Sequence, residues 1–107
     1  MEGLELVCFQ IISNVGMARS NYIEAIQSAK AGEFDAAKKL VEEGEKYYLQ
    51  GSEAHLTLIQ QEASGAPVSP TLLLLHAEDQ MMSADAFKII ANELIDNYKR
   101  IAALEAR

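Results

Sequence analysis

Apolar and small residues recur along the first third of the chain at Leu4, Cys8, Ile11, Val15, Ala18, Tyr22, Ala25 and Ala29. The steps alternate four and three, which is one face of an amphipathic helix. A second stripe, Phe9, Ile12, Ile23 and Ile26, runs beside the first, so the face is wide enough to meet more than one neighbouring helix. The pattern predicts a helix over 3–31, stopped by Gly32. A second helix is predicted over 36–63, with Asp35 as its N-cap and Ala37, Leu40, Gly44, Tyr47, Gly51, Ala54 and Leu58 as its apolar face. Gly44 and Gly51 each cost about 1 kcal/mol against alanine inside a helix. They are expected to let a neighbouring helix come close, the alternative being a kink. Lys38, Lys39, Glu42, Glu43, Glu45 and Lys46 form the solvent side. The clear loop is 64–70, where Ser69 and Pro70 read as N-cap and first residue of a third helix over 70–104.

The third helix carries a narrower stripe. Leu72, Leu75, Asp79, Met82, Ala86 and Ile89 step by three and four, a coiled-coil seam with one polar intruder. The run Leu72-Leu73-Leu74-Leu75 is apolar all round, as in a helix surrounded by others. Copies of Asp79 facing one another across a symmetry axis would repel. They could share protons or hold a hard divalent cation through their oxygens. Asp79 reaching solvent, or pairing with a lysine of another helix, is the plainer reading.

The fold class is therefore all-α, three long antiparallel helices in a single domain over 1–107. Half of the 107 residues are hydrophobic, yet three long helices make a thin core, and such bundles often associate to finish burying it. The net charge of −7 argues against nucleic acid and suits a basic protein partner. The single Cys8 excludes a disulfide framework and fits a reducing compartment. Met1-Glu2-Gly3-Leu4-Glu5 has no basic leader character, and no apolar run approaches the roughly 18 to 20 residues of a membrane span, so a cytoplasmic domain is expected.

Within the leucine-rich stretch, His76 lies about 60° around the helix from Asp79. A histidine flanked by apolar residues is more often structural than catalytic, but its chemistry can be narrowed. There is no Gly-x-Ser-x-Gly elbow, and Cys8 sits in a core stripe. His76 and His55 have no His-x3-His or Glu-x-x-His partner, which weighs against a histidine-built metal centre. No glycine-rich phosphate loop is present. What remains is imidazole as a nucleophile. A free imidazole titrates near about 6.5, so at neutral pH one ring nitrogen is open for attack, and phosphoryl transfer through it needs little further machinery.

Several segments then match one family. Asn14-Val15-Gly16-Met17-Ala18-Arg19-Ser20 is similar to an Ala-Gly-x-Ala-Arg-Ser segment, Ala31-Gly32-Glu33-Phe34 to a first turn, and Glu62-Ala63-Ser64-Gly65 to a second loop. Most specific is His76-Ala77-Glu78-Asp79-Gln80-Met81-Met82, which resembles His-(Gly/Ala)-Gln-Asp-His-Leu-Met. Nearly the whole chain resembles the lactose/cellobiose-type enzyme IIA of the bacterial phosphoenolpyruvate-dependent sugar phosphotransferase system. The resemblance implies a homotrimer forming a nine-helix bundle, with His76 phosphorylated by HPr and discharged to a cysteine of enzyme IIB. It also implies three Asp79 around an axial divalent cation, for which carboxylate-only ligation favours Mg²⁺. The sugar, of the lactose, cellobiose or chitobiose class, is left open.

Two departures fall inside the motif. Glu78 stands in place of glutamine and Gln80 in place of a second histidine, while His55 occupies a position usually held by glutamine, either as a second polar group near the site or as an ordinary interhelical histidine. Gln80, at i+4 from His76, can still donate to a phosphoryl oxygen. His55, Gln61 and Gln60 are further candidates, since His76 inside its helix is expected to have no free backbone N–H beside it. Glu78 lies about 200° from His76 and should point away from it within its own chain, while remaining able to face a neighbour's site. The altered motif leaves a second reading, a helical adaptor or regulator that no longer transfers phosphate. A metalloenzyme using His76 and Asp79 in one site is a third, disfavoured by their diverging directions.

Overall fold

The computed structural model describes residues 3–107; Met1 and Glu2, part of the stretch read for a leader, lie outside the described residues. Three helices, α1 (Gly3–Lys30), α2 (Phe34–Ala63) and α3 (Leu72–Glu105), make a rod of 61 × 21 × 20 Å. Helices α2 and α3 both lie along α1 and meet each other only along a narrow edge. No helix among the described residues is long and apolar enough to cross a membrane.

The α1 stripe is the spine of the core. Cys8, Ile11, Val15, Ala18, Tyr22, Ala25 and Ala29 are all buried, and Leu4 is half-buried at the end of the row. Of the parallel stripe, Ile12, Ile23 and Ile26 are half-buried and Phe9 is exposed. From α2 come Ala37, Gly44, Gly51 and Leu58, and from α3 Ala77, Ala84, Ala91 and Ile95. Alanines and glycines at heptad spacing keep the axes close, and two of them make the approach possible. A Cβ on Gly44 would stand 2.7 Å from Cε1 of Tyr22, and one on Gly51 would stand 2.7 Å from Cγ1 of Val15. Close approach is thus the role of both glycines, and α2 runs through them as one helix. The Tyr22 hydroxyl donates to Glu45 at 3.4 Å, and the buried Asn21 amide donates to the Leu40 carbonyl at 3.5 Å. Burial first, and the Glu45 carboxylate second, push the Tyr22 phenol above its ordinary range.

Helices α1 and α2 each stop at a glycine in the left-handed region. Gly32 has φ +82° and Gly65 φ +95°. The bonds from Glu33 N–H to Ser28 O (2.9 Å) and from Ala66 N–H to Gln61 O (3.1 Å) close Schellman turns that satisfy the last carbonyls. Two helix starts differ from the sequence expectation. The N-cap of α2 is Glu33, with no side-chain bond, and Asp35 sits in the first turn, where its carboxylate complements the helix dipole. Neither Ser69 nor Pro70 begins α3. Thr71, in extended backbone, takes the cap because its hydroxyl accepts the Leu74 N–H at 3.1 Å.

Candidate functional site

The start of α3 determines what surrounds His76. With Thr71 as cap, His76 is the fifth residue of the helix, in its second turn rather than nearly two turns inside. The N–H groups of Leu72 and Leu73 have no partner within the helix, and the positive end of the dipole lies one turn below the ring. Helical side chains lean towards the N-terminus, so the imidazole lies over that first turn. Leu72, Leu73 and His76 accordingly line one open depression. His76 itself is exposed. The expectation that this helix end is out of reach of a group on His76 is revised by the shorter distance.

Gln80 is half-buried one turn further on, and its side chain leans back over His76. Ser83 and Phe87 continue the same edge of α3, beside α1. Arg19 of α1 lies against this edge, its guanidinium 4.8 Å from the centre of the Phe87 ring and its Nε buried without a hydrogen bond. No lysine or arginine occurs in 3–18 or in 47–87, the stretches that build the His76 end of the rod. The acids of these stretches are Glu5, Glu53, Glu62, Glu78, Asp79 and Asp85.

The other candidates are engaged elsewhere. Gln61 donates to the Pro67 carbonyl at 3.5 Å and helps shape the loop before α3. His55 donates through Nε2 to Oε1 of Glu78 at 2.6 Å, across from α2 to α3. Glu78 therefore does point away from the His76 of its own chain, and two of the three departures from the family motifs are partners. The Cys8 thiol, buried beneath them, is pushed up by burial and by the Glu78 charge. A second ion pair among the described residues, Lys88 with Glu45, ties α2 to α3 further along the rod.

The seam stands open. Leu72, Leu75, Met82 and Ile89 are 85, 59, 72 and 60% exposed, and Asp79 lies exposed among them. Among the described residues no three His, Cys, Asp or Glu side chains of one chain converge on a metal position. A cation on this seam would need carboxylates from several copies.

Residues 6–99 match the family model described as "PTS system, Lactose/Cellobiose specific IIA subunit". The chain belongs to the lactose/cellobiose-specific IIA family of the phosphotransferase system. It is 37% identical to the lichenan-specific phosphotransferase enzyme IIA component of Bacillus subtilis, over 94% of this chain and 91% of that protein. It is 32% identical to the lactose-specific EIIA component of Staphylococcus aureus, over 92% and 96%. The crystal structure of the cellobiose-specific enzyme IIA of Bacillus anthracis superposes with a TM-score of 0.93 at 37% identity, covering 96% of this chain and 94% of that one. As a IIA protein, the chain is a component of a phosphotransferase system with a phosphocarrier role in sugar uptake, and the three-helix fold is that of the family.

Proposed function

We propose that this IIA protein takes a phosphoryl group from the phosphohistidine of HPr onto His76 and passes it to a cysteine of enzyme IIB, serving uptake of a β-linked disaccharide from the cytoplasmic side. The observation that carries this reading is an exposed imidazole in the second turn of α3, leaning over the free N–H groups of the first turn. In the first step a lone pair on the His76 ring attacks the phosphorus of the donor, the donor N–P bond breaks, and its electron pair returns to the donor imidazole. In the second step the partner thiolate attacks, a P–S bond forms, and the His76 imidazole leaves. The protein holds the nucleophile in position and offers donors to the phosphoryl oxygens. Gln80 is the first of these and the helix N-terminus the second; His55 and Gln61, each already bonded to another partner, are left out of that set. With Arg19 held over Phe87 about 16 Å further along α3 and no lysine or arginine in 47–87, the cations that neutralise the moving phosphoryl group come from the partner proteins.

The open seam supports a homotrimer in which α3 of each copy lines the axis. Three Asp79 carboxylates would then supply a hard, oxygen-only donor set, which fits Mg²⁺. Such an ion neutralises like charges at the axis and takes no part in the transfer. The adaptor reading rested on the altered motif; the engagement of Glu78 by His55 weakens that ground.

The test is incubation with phosphoenolpyruvate, enzyme I and HPr, followed by intact mass. One acid-labile phosphoryl group per chain is expected, absent in His76→Ala. No gain in the wild-type chain would leave the adaptor reading in its place, and a gain that survives in His76→Ala would move the nucleophile elsewhere.

A further inference from the structure

The pair His55–Glu78 lies off the nucleophile's own face, yet the seam gives it a place in the site. On a wheel of about 100° per residue, the seam residues centre on one direction, with His76 roughly 90° to one side and Glu78 roughly 70° to the other. These are the two flanking positions of a coiled coil. When helices associate in parallel about such a seam, one flank of each helix faces the opposite flank of the next. The Glu78 edge of one copy therefore faces the His76 edge of its neighbour, two residues apart along the helix. The pair is built to suit that position. The His55 side chain is 17% exposed and that of Glu78 45%, so the carboxylate can be met from outside while the imidazole holding it is covered. The Cys8 thiol lies within the field of the same carboxylate, so Glu78 is drawn inward over α1 and α2 instead of extending over the seam.

We propose that His55 is a positioning residue: by holding the Glu78 carboxylate against α2, it keeps that charge away from the phosphoryl group on the neighbouring copy's His76. The inference rests on the trimeric phosphocarrier reading above. The cation on this edge, Arg19, is held over Phe87, 11 residues and about 16 Å further along α3, so a loose carboxylate beside a phosphoryl group on His76 would oppose it with little compensation. With the acid tied down, the edge presents Gln80 and the first turn of α3 instead.

The experiment compares wild type, His55→Ala, Glu78→Gln and the double variant, each checked as a trimer by light scattering, for the rate of phosphate acceptance from phospho-HPr. His55→Ala is expected to slow acceptance by about tenfold or more, because like charge brought to an unscreened site is costly. Glu78→Gln should stay close to wild type. The double variant should return to that rate, although it has lost the interhelical contact altogether. Equal rates for His55→Ala and wild type overturn the proposal. So does a double variant as slow as His55→Ala, which would make the contact itself, not the freed charge, the thing that matters. Should His55→Ala not fold, His55→Leu fills the same space and carries the same expectations. Wild-type protein that accepts no phosphate, or that stays monomeric, refutes the phosphocarrier or trimer reading instead.

Discussion

Two stripes of this molecule share a pattern and meet opposite fates. The α1 stripe and the α3 seam both step by three and four. Cys8, Ile11, Val15 and Ala18 are covered completely or nearly so by α2 and α3, whereas Leu72, Leu75, Met82 and Ile89 are left facing outward. A heptad step states that a face will be buried and does not state by what. In α1 the cover comes from the same chain, through glycines and alanines that let the helices close. In α3 those small residues, Ala77, Ala84 and Ala91, form a separate row turned towards α1, and the seam stands about a half-turn of the helix away from them. One helix thus carries a covered row and an open one, and His76 lies on the border between them.

The largest break in this comparison is a charge in the seam. Leu75→Lys, repeated in every copy, should abolish the proposed trimer while leaving helical content near wild type, read by light scattering and far-UV circular dichroism. The matching change in the spine, Ile11→Ala, should cost about 2–5 kcal/mol in denaturant unfolding, since it empties a fully covered position. If Ile11→Ala dissociated the assembly with little loss of stability, the assignment of the two stripes would be reversed. Asp79→Leu sharpens the contrast further. It should stabilise the assembly by on the order of 1–3 kcal/mol and make its melting insensitive to EDTA, because an apolar seam replaces a polar intruder. Melting of the wild type that ignores both Mg²⁺ and EDTA would count against the axial cation. The smallest effect belongs to the turn below His76. Thr71→Ala removes the hydroxyl that caps α3 and should cost about 1 kcal/mol, with an increase in amide exchange confined to 71–75.

How much of this was legible beforehand varied with the range of the interaction. The α1 stripe was readable residue by residue, because helical periodicity is local. The stop at Gly32 was also placed, since glycine is the residue type that takes a positive φ freely, whereas Gly65 was read only as part of the loop 64–70. The caps were harder. Ser69, Pro70 and Thr71 all favour a helix start, and Thr71 won because its hydroxyl alone reaches an unpaired N–H of the first turn. That displacement of two residues altered the surroundings of His76. The contact between His55 and Glu78 was not legible, as nothing local links positions on different helices, though each had been noted as unusual for its place.

The sequence by itself determined three helices, the faces by which α1 and α2 enter the core, and a histidine whose chemistry suits phosphoryl transfer, because periodicity, turn chemistry and side-chain reactivity act over a few residues. Only the tertiary structure decided which stripe the chain covers for itself, where the free end of α3 lies relative to His76, and which partner holds Glu78. Those depend on how closely the axes of α1, α2 and α3 approach, a distance fixed by Gly44 and Gly51 against Tyr22 and Val15 rather than by any one helix.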